Sequence, residues 1–327
     1  MNKATKIWLV AAASLVLIGC ILFAGVMTSL RWDFTKLSTV KYQTNSYEIT
    51  DAFNSISMKT DTIDILFVLS DDGTCRIECY EEERAAHSVA VKDGTLAIEL
   101  IDDRSVSDYI GYIGINFGSP KMTVYLPETD YASLSIHEDT GDIEIPNDFK
   151  FKNVDISLST GDVDFCASAF DRIKIKTSTG DICVENIAAG ALDLSVSTGK
   201  VTAAGVNCEG DLTIAVSTGD AYLTDTACKN LVSSGNTGDL SMKNVVAAER
   251  ISIKRTTGDI EFDGCDAAEI FVETDTGDVH GTLLSDKVFF VQTNTGDIEA
   301  PTTTTGGRCE ISTDTGDIEI DLLPDSK

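Results

Sequence analysis

The chain has 327 residues, of which 53 are acidic and 25 basic, for a net charge of −28. A 43% hydrophobic content supports a sizeable core and excludes a disordered acidic tail, while the charge argues against a nucleic-acid partner, which needs a basic face. Five prolines and 25 glycines exclude collagen-like and linker-rich designs, and nine cysteines are too sparse for a small disulfide scaffold.

The amino end carries an uncharged stretch from Ile7 to Leu30, between Lys3 and Lys6 on one side and Arg31 on the other. As a helix it is about 36 Å long, enough to cross a ~30 Å hydrocarbon layer with some tilt. Residues 7–30 therefore read as a single transmembrane anchor behind a cytoplasmic tail of residues 1–6, with Trp8 and Trp32 at the interfaces. A second reading takes Leu17-Ile18-Gly19-Cys20 as a lipobox with Cys20 lipidated after signal cleavage. The apolar run Ile21–Met27 behind Cys20 favours the uncleaved anchor, since a signal core should end sooner. Flanking lysines and arginines do not decide orientation. The short amino tail places residues 31–327 outside the cell, as in a single-pass cell-membrane protein.

Residues 31–133 read as a juxtamembrane segment and a less regular, β-rich cap. Val89–Val91, Lys92-Asp93-Gly94-Thr95 and Leu96–Leu100 make a hairpin with an Asp-Gly turn. Residues 101–119, with Gly111, Gly114 and Gly118 among Tyr109, Tyr112 and Phe117, read as an exposed loop or a contact surface. Ile56, Met58, Thr60, Thr62, Asp64, Ile65 and Phe67 match the repeat described next, with Ile63 where its glycine would stand. From Ile63 to the first repeat glycine is 78 residues, so either degenerate coils fill the gap or the match is accidental.

Residues 134–327 are a repeat. Thr-Gly-Asp recurs with its glycine at Gly141, Gly161, Gly180, Gly199, Gly219, Gly238, Gly258, Gly277, Gly296 and Gly316, always 19 or 20 residues apart. Only the Gly199 copy departs, with Lys200 for Asp. Before the glycine, apolar residues alternate with polar ones, as in Leu192, Leu194, Val196 against Asp193, Ser195, Ser197. After it come pairs such as Ile143 and Ile145, or Val163 and Phe165. Period-two alternation marks strands with one buried face, and one such unit cannot bury that face alone. The expected fold is all-β: a β-solenoid, or β-helix, of about ten coils, roughly 48 Å long at ~4.8 Å per coil. Glycine supplies positive φ at the turn, and Asp and Thr bond nearby backbone.

The hydrophobic anchor, the Trp-Asp-Phe stretch at Trp32–Phe34 and the run of Ser-Thr-Gly-Asp-Ile units resemble the bacterial putative-adhesin β-strand-repeat family of unknown function, in a Gram-positive, membrane-anchored form. The resemblance covers nearly the whole chain. It implies a cell-surface or envelope-associated β-helix and supplies no catalytic residues.

Catalytic signatures are absent from the sequence. His87, His137 and His280 are far apart without ligand spacing, and no nucleophile elbow, phosphate loop or dinucleotide fingerprint occurs, so neither enzyme activity nor a cofactor is expected. Cys75 and Cys79 read as small buried side chains. Cys208 and Cys228 each lie nine residues after a repeat glycine, hence in adjacent coils, as a disulfide or as two stacked thiols; Cys183 should point outward. Asp220, Asp239, Asp259, Asp278, Asp297 and Asp317 form an acidic column, with Asp142, Asp162 and Asp181 before the Lys200 break. Calcium is the one ion the column suggests, but it takes six to eight oxygens and one carboxylate per coil supplies few, so the structural reading is preferred, with diffuse cation attraction beside it. Two functional classes fit: a surface solenoid binding an envelope polymer or another protein, or a polymer stacked head to tail through bare coil ends; the membrane tether, and Pro324 as a blunt on the last coil's open edge, favour the first. A polysaccharide-acting enzyme is a third, weaker reading, because the coils lack the long loops that build a cleft. Oligomeric state is not legible.

Overall fold

The computed structural model describes residues 3–33, 41–102 and 119–323. Phe34, Pro324 and nearly all of the 101–119 segment lie outside the described residues. The amino end is one helix, Lys3–Ser29, and its Thr5–Ser29 part, of mean hydropathy 2.7, is long and apolar enough to cross a membrane. The chain leaves it through Arg31 and Trp32, both at positive φ.

The rest is the expected β-solenoid. The Gly199 coil shows the plan. Leu192–Thr198 buries Leu192, Leu194 and Val196, the Gly199-Lys200 corner follows, Val201–Ala204 buries Val201 and Ala203, and Asn207–Cys208 starts the return. The two strands of a unit do not pair with each other. Each pairs in parallel with its equivalent one coil on: Leu192 with Leu212, Leu194 with Ile214, Val201 with Ala221. The alternating apolar residues thereby stack as columns of Ile, Val and Leu in one continuous core.

The corner fixes the register. Gly199 N donates to the Thr218 carbonyl at 3.0 Å and Val201 N to the Asp220 carbonyl at 3.0 Å, and the same pair of bonds recurs along the stack. The repeat glycines have φ between 125° and 151°, far from the left-handed helical region that a tight reversal would use. A Cβ on any of them would lie 1.9–2.1 Å from a carbonyl oxygen of the neighbouring coil. Glycine is thus needed for close stacking as well as for φ. The 19-or-20 variation is absorbed away from this corner, as register shifts between Phe151 and Asn153, Cys228 and Asn230, and Ala247 and Arg250.

Both ends depart from sequence order. The Ile63 unit is neither accidental nor separated from the repeat by degenerate coils. It lies directly against the Gly141 coil, with Ile56 opposite Leu134, Met58 opposite Ile136 and Ile65 opposite Ile143. On its other side it pairs with Thr95–Asp102 and Lys121–Leu126, so the intervening chain goes out and folds back as the next layer. Antiparallel strands finish this end: Cys75–Glu82 pairs with Lys121–Leu126 and with Tyr42–Ile49, and Ala85–Lys92 forms the expected Asp93-Gly94 hairpin with Thr95–Asp102. At the carboxyl end the Gly316 unit inserts between two earlier ones. Ile270 pairs with Cys309 and Val279 with Ile318, while Phe289 and Ile298 pair with the opposite side of that same unit. The coil left with a bare edge is therefore Lys287–Glu299, not the last in sequence.

Gly219→Ala places a methyl group 2.0 Å from the Gly199 carbonyl oxygen at a φ of 128°, whereas Gly94 (φ 75°) has nothing within 4 Å of such a group. We expect Gly219→Ala to cost about 3 kcal/mol or more and Gly94→Ala roughly 1 kcal/mol, measured by denaturant unfolding. Equal effects would contradict the close corner stacking.

Candidate functional site

The acidic column lies along the glycine corners, and its carboxylates are built into the backbone. Asp162 N donates to Asp142 Oδ1 at 2.9 Å, Asp181 N to Asp162 at 2.7 Å, and Lys200 N to Asp181 at 2.7 Å. Beyond the break, Asp239 N bonds Asp220 at 2.9 Å, Asp259 N bonds Asp239 at 2.8 Å and Asp278 N bonds Asp259 at 2.8 Å. The swapped end reorders the column: Asp317 N bonds Asp278 and Asp297 N bonds Asp317, each at 2.8 Å. Except for Asp297, on the bare coil, each of these carboxylates thus gives one oxygen to the amide of the next corner, a charge-assisted bond that offsets the repulsion between neighbours. Lys200 continues the ladder as a donor but offers no carboxylate, and its ammonium lies 3.5 Å from Asp181 on the exposed edge. Asp64, which the sequence places in register with the repeat, is a further member of the column, accepting from Asp142 N at 3.2 Å. Thr62-Ile63-Asp64 keeps two residues of the tripeptide, which was the available signal.

Behind the corner, the residue three before each glycine faces inward. Leu158, Val196 and Val216 are apolar, but the column also holds buried Glu138, Thr177, Arg255, Thr274 and Thr313. Thr177, Thr293 and Thr313 donate to the glycine carbonyl of the neighbouring coil at 3.3, 3.0 and 3.2 Å. Arg255 lies over Gly235, where a Cβ would come within 2.2 Å of its Nη1. Its Nε and Nη1 are buried without partners, and burial lowers the pKa of the guanidinium.

The cysteines fall as follows. Asn207 pairs with Ala227, which brings Cys208 and Cys228 into neighbouring coils as buried free thiols. Cys183 is half-buried, with Sγ 3.6 Å from Glu185, and burial raises its pKa to about 11. Cys20 is exposed on the amino-terminal helix. Cys75 and Cys79 are buried, and Cys79 sits beside Glu81 and His87, a cluster the sequence did not reveal.

A parallel β-solenoid with an antiparallel cap and one apolar amino-terminal helix defines the class of this protein. The chain belongs to the Toastrack DUF4097 family, whose profile matches residues 53–220 and again 209–327. Its structure is similar to that of a putative adhesin from Bacteroides fragilis, at 18% identity and a TM-score of 0.39, covering 86% of this chain and 97% of that one. A putative lipid binding protein and a putative adhesin, both from Parabacteroides distasonis, are similar at 11% and 13% identity with TM-scores of 0.43 and 0.41, each covering 87% of this chain and 98% of the other. No curated protein matches its sequence.

Glu138, at the first corner, is the most displaced acid. Its Oε1 accepts from Ile63 N at 3.2 Å and its Oε2 is buried without a partner. Burial, reinforced by Asp64 and Asp142 and only partly opposed by the Ile63 bond, pushes its pKa from 4.5 to about 9. The fold therefore favours the protonated form: this contribution to stability is intact below pH 4.5 and is lost progressively as pH rises toward about 9. Glu138→Gln should melt several degrees above the parent at pH 8 and at the same temperature near pH 4. Coincident melts at both pH values would show that the carboxyl is not held neutral.

Proposed function

We propose that the chain is a non-enzymatic, membrane-anchored β-solenoid that carries an acidic rod on the outer side of the cell membrane, as an adhesin or an envelope scaffold or sensor. In this reading residues 1–6 stay in the cytoplasm, 7–30 cross the membrane and 31–327 lie outside. The observation that carries it is the corner ladder. From Asp142 to Asp297 the coils follow one another with a one-residue variation in length, so no long insertion walls off a catalytic cleft. A rod of this kind offers long flat faces to an envelope polymer or another protein.

The self-assembling polymer is the second reading, and the bare coil is the surface it would use. Lys287–Thr295 holds one lysine and no acid in a chain of net charge −28. In that coil Ile298 is 46% exposed, while Val279 and Ile318, its counterparts in the stack, are fully buried. At the opposite end the antiparallel strands close over the core, with Tyr47 Oη bonded to the His87 carbonyl at 2.8 Å. Stacking through bare coils would therefore join two copies and stop, which supports the surface rod over a filament.

Added protease should degrade the rod in intact cells while leaving cytoplasmic markers untouched, and Cys20→Ala should remain in the membrane fraction. A rod protected until the cells are lysed would overturn the orientation. Fatty-acid labelling that disappears in Cys20→Ala would replace the anchor with a lipoprotein.

A further inference from the structure

The cap encloses a polar cluster that coil stacking does not require. Cys79 and Glu81 are two residues apart on the strand Cys75–Glu82 and so share a face. The turn at Glu83-Arg84, closed by the Glu82–Ala85 pair, brings His87 back to them. All three are buried, at 0%, 1% and 5% exposure, and Cys79 Sγ, a Glu81 carboxylate oxygen and a His87 ring nitrogen lie within 4.8 Å of one another.

The surrounding bonds hold these groups in place. Glu81 Oε1 accepts from Asn45 Nδ2 at 2.6 Å, and Oε2 accepts from the His87 backbone N at 2.8 Å. His87 Nδ1 is 2.6 Å from the same Oε2, and because an ionised carboxylate only accepts, the proton sits on Nδ1. These bonds outweigh the effect of burial and keep the Glu81 carboxyl below the usual range. They leave His87 Nε2 buried without a partner. Glu81 and His87 also line a cavity of about 300 Å³, with Asp61, Glu82 and Ser119 on its walls, which gives a polar approach from solvent.

We propose that Cys79, Glu81 and His87 form a zinc site that clasps the cap, with a water from the cavity as fourth ligand. Sulfur, nitrogen and oxygen donors together suit Zn²⁺, whereas Ca²⁺ and Mg²⁺ take oxygen alone. Zinc bonds of about 2.0–2.3 Å set ligand atoms roughly 3.3–3.6 Å apart, a spacing that a cluster of this size reaches with small shifts. The ion takes the place between His87 Nδ1 and Glu81 Oε2 while the single imidazole proton moves from Nδ1 to Nε2, and it displaces the Cys79 thiol proton, which leaves to solvent. One thiolate and one carboxylate then neutralise the ion, so no net charge is buried. Without metal, burial ahead of the Glu81 charge pushes the Cys79 thiol up to about 12, so zinc uptake is coupled to proton release. Because Asn45 belongs to Tyr42–Ile49, the site ties three cap strands together.

The test uses the full-length protein in detergent, stripped of metal and titrated with Zn²⁺ or Co²⁺ alone against a chromogenic chelator. We expect one zinc per chain, a raised Tm, and a thiolate-to-cobalt charge-transfer band that is lost in Cys79→Ala and kept in Cys183→Ala. His87→Gln should weaken zinc binding by roughly 100-fold or more. Only non-saturable binding along the acidic edge, a parent cobalt spectrum without a thiolate band, or unchanged binding in Cys79→Ala would each overturn the site. Should the variants fail to fold, the parent cobalt spectrum and stoichiometry decide.

Discussion

The molecule depends on how closely two backbones approach at one corner. The carbonyl of each repeat glycine occupies the space where the next coil would carry a Cβ, about 2 Å from that position. No side chain larger than hydrogen fits, and no offset of one residue restores the contact. The corner therefore acts as a register pin. Strands on either side fall into parallel pairing, apolar columns follow, and the Asp and Thr of the tripeptide satisfy the amides and carbonyls that the corner leaves over. Length errors collect at the far side of the coil, where the pin does not act.

A parallel stack is weakest at its ends, where one row of backbone groups has no partner. This chain handles both ends alike. Its first unit, Ser55–Leu69, and its last, Gly307–Leu322, are each inserted one layer in, with a paired neighbour on both sides. The outermost layers are instead formed by segments continuous with the chain in both directions.

The repeat was legible because every coil meets the same local demand at its corner, and that demand dictates the tripeptide. The spatial order of the end coils was not legible, for the same reason: Asp317 meets the Asp278 carboxylate as well as any other repeat Asp would, so insertion leaves no trace in the units themselves. At the amino end the Ile63 unit was visible as a match to the repeat, but its place against the Gly141 coil was not, because Ile63 gives that corner only its carbonyl and the contact leaves no demand on its own side chain. Cys79, Glu81 and His87 escaped notice because their spacing matches no ligand motif and the Glu83-Arg84 turn that unites them lacks glycine, asparagine and proline. Arg255 interrupts an apolar column only because Gly235 vacates the space above it, a pairing visible in three dimensions alone.

Removal of one coil tests the register account most directly. Deleting Lys200–Gly219 joins Thr198-Gly199 to Asp220, which restores an unbroken Thr-Gly-Asp ladder and brings the Ile182–Glu185 and Ala221–Thr237 strands into the places their lost neighbours held. Circular dichroism and thermal melting should show a folded, shorter rod with a cooperative transition. Deleting about half a coil, residues 200–209, should give an unfolded or aggregated chain, because strands would then face mismatched corners. Equal tolerance of the two deletions would contradict the account.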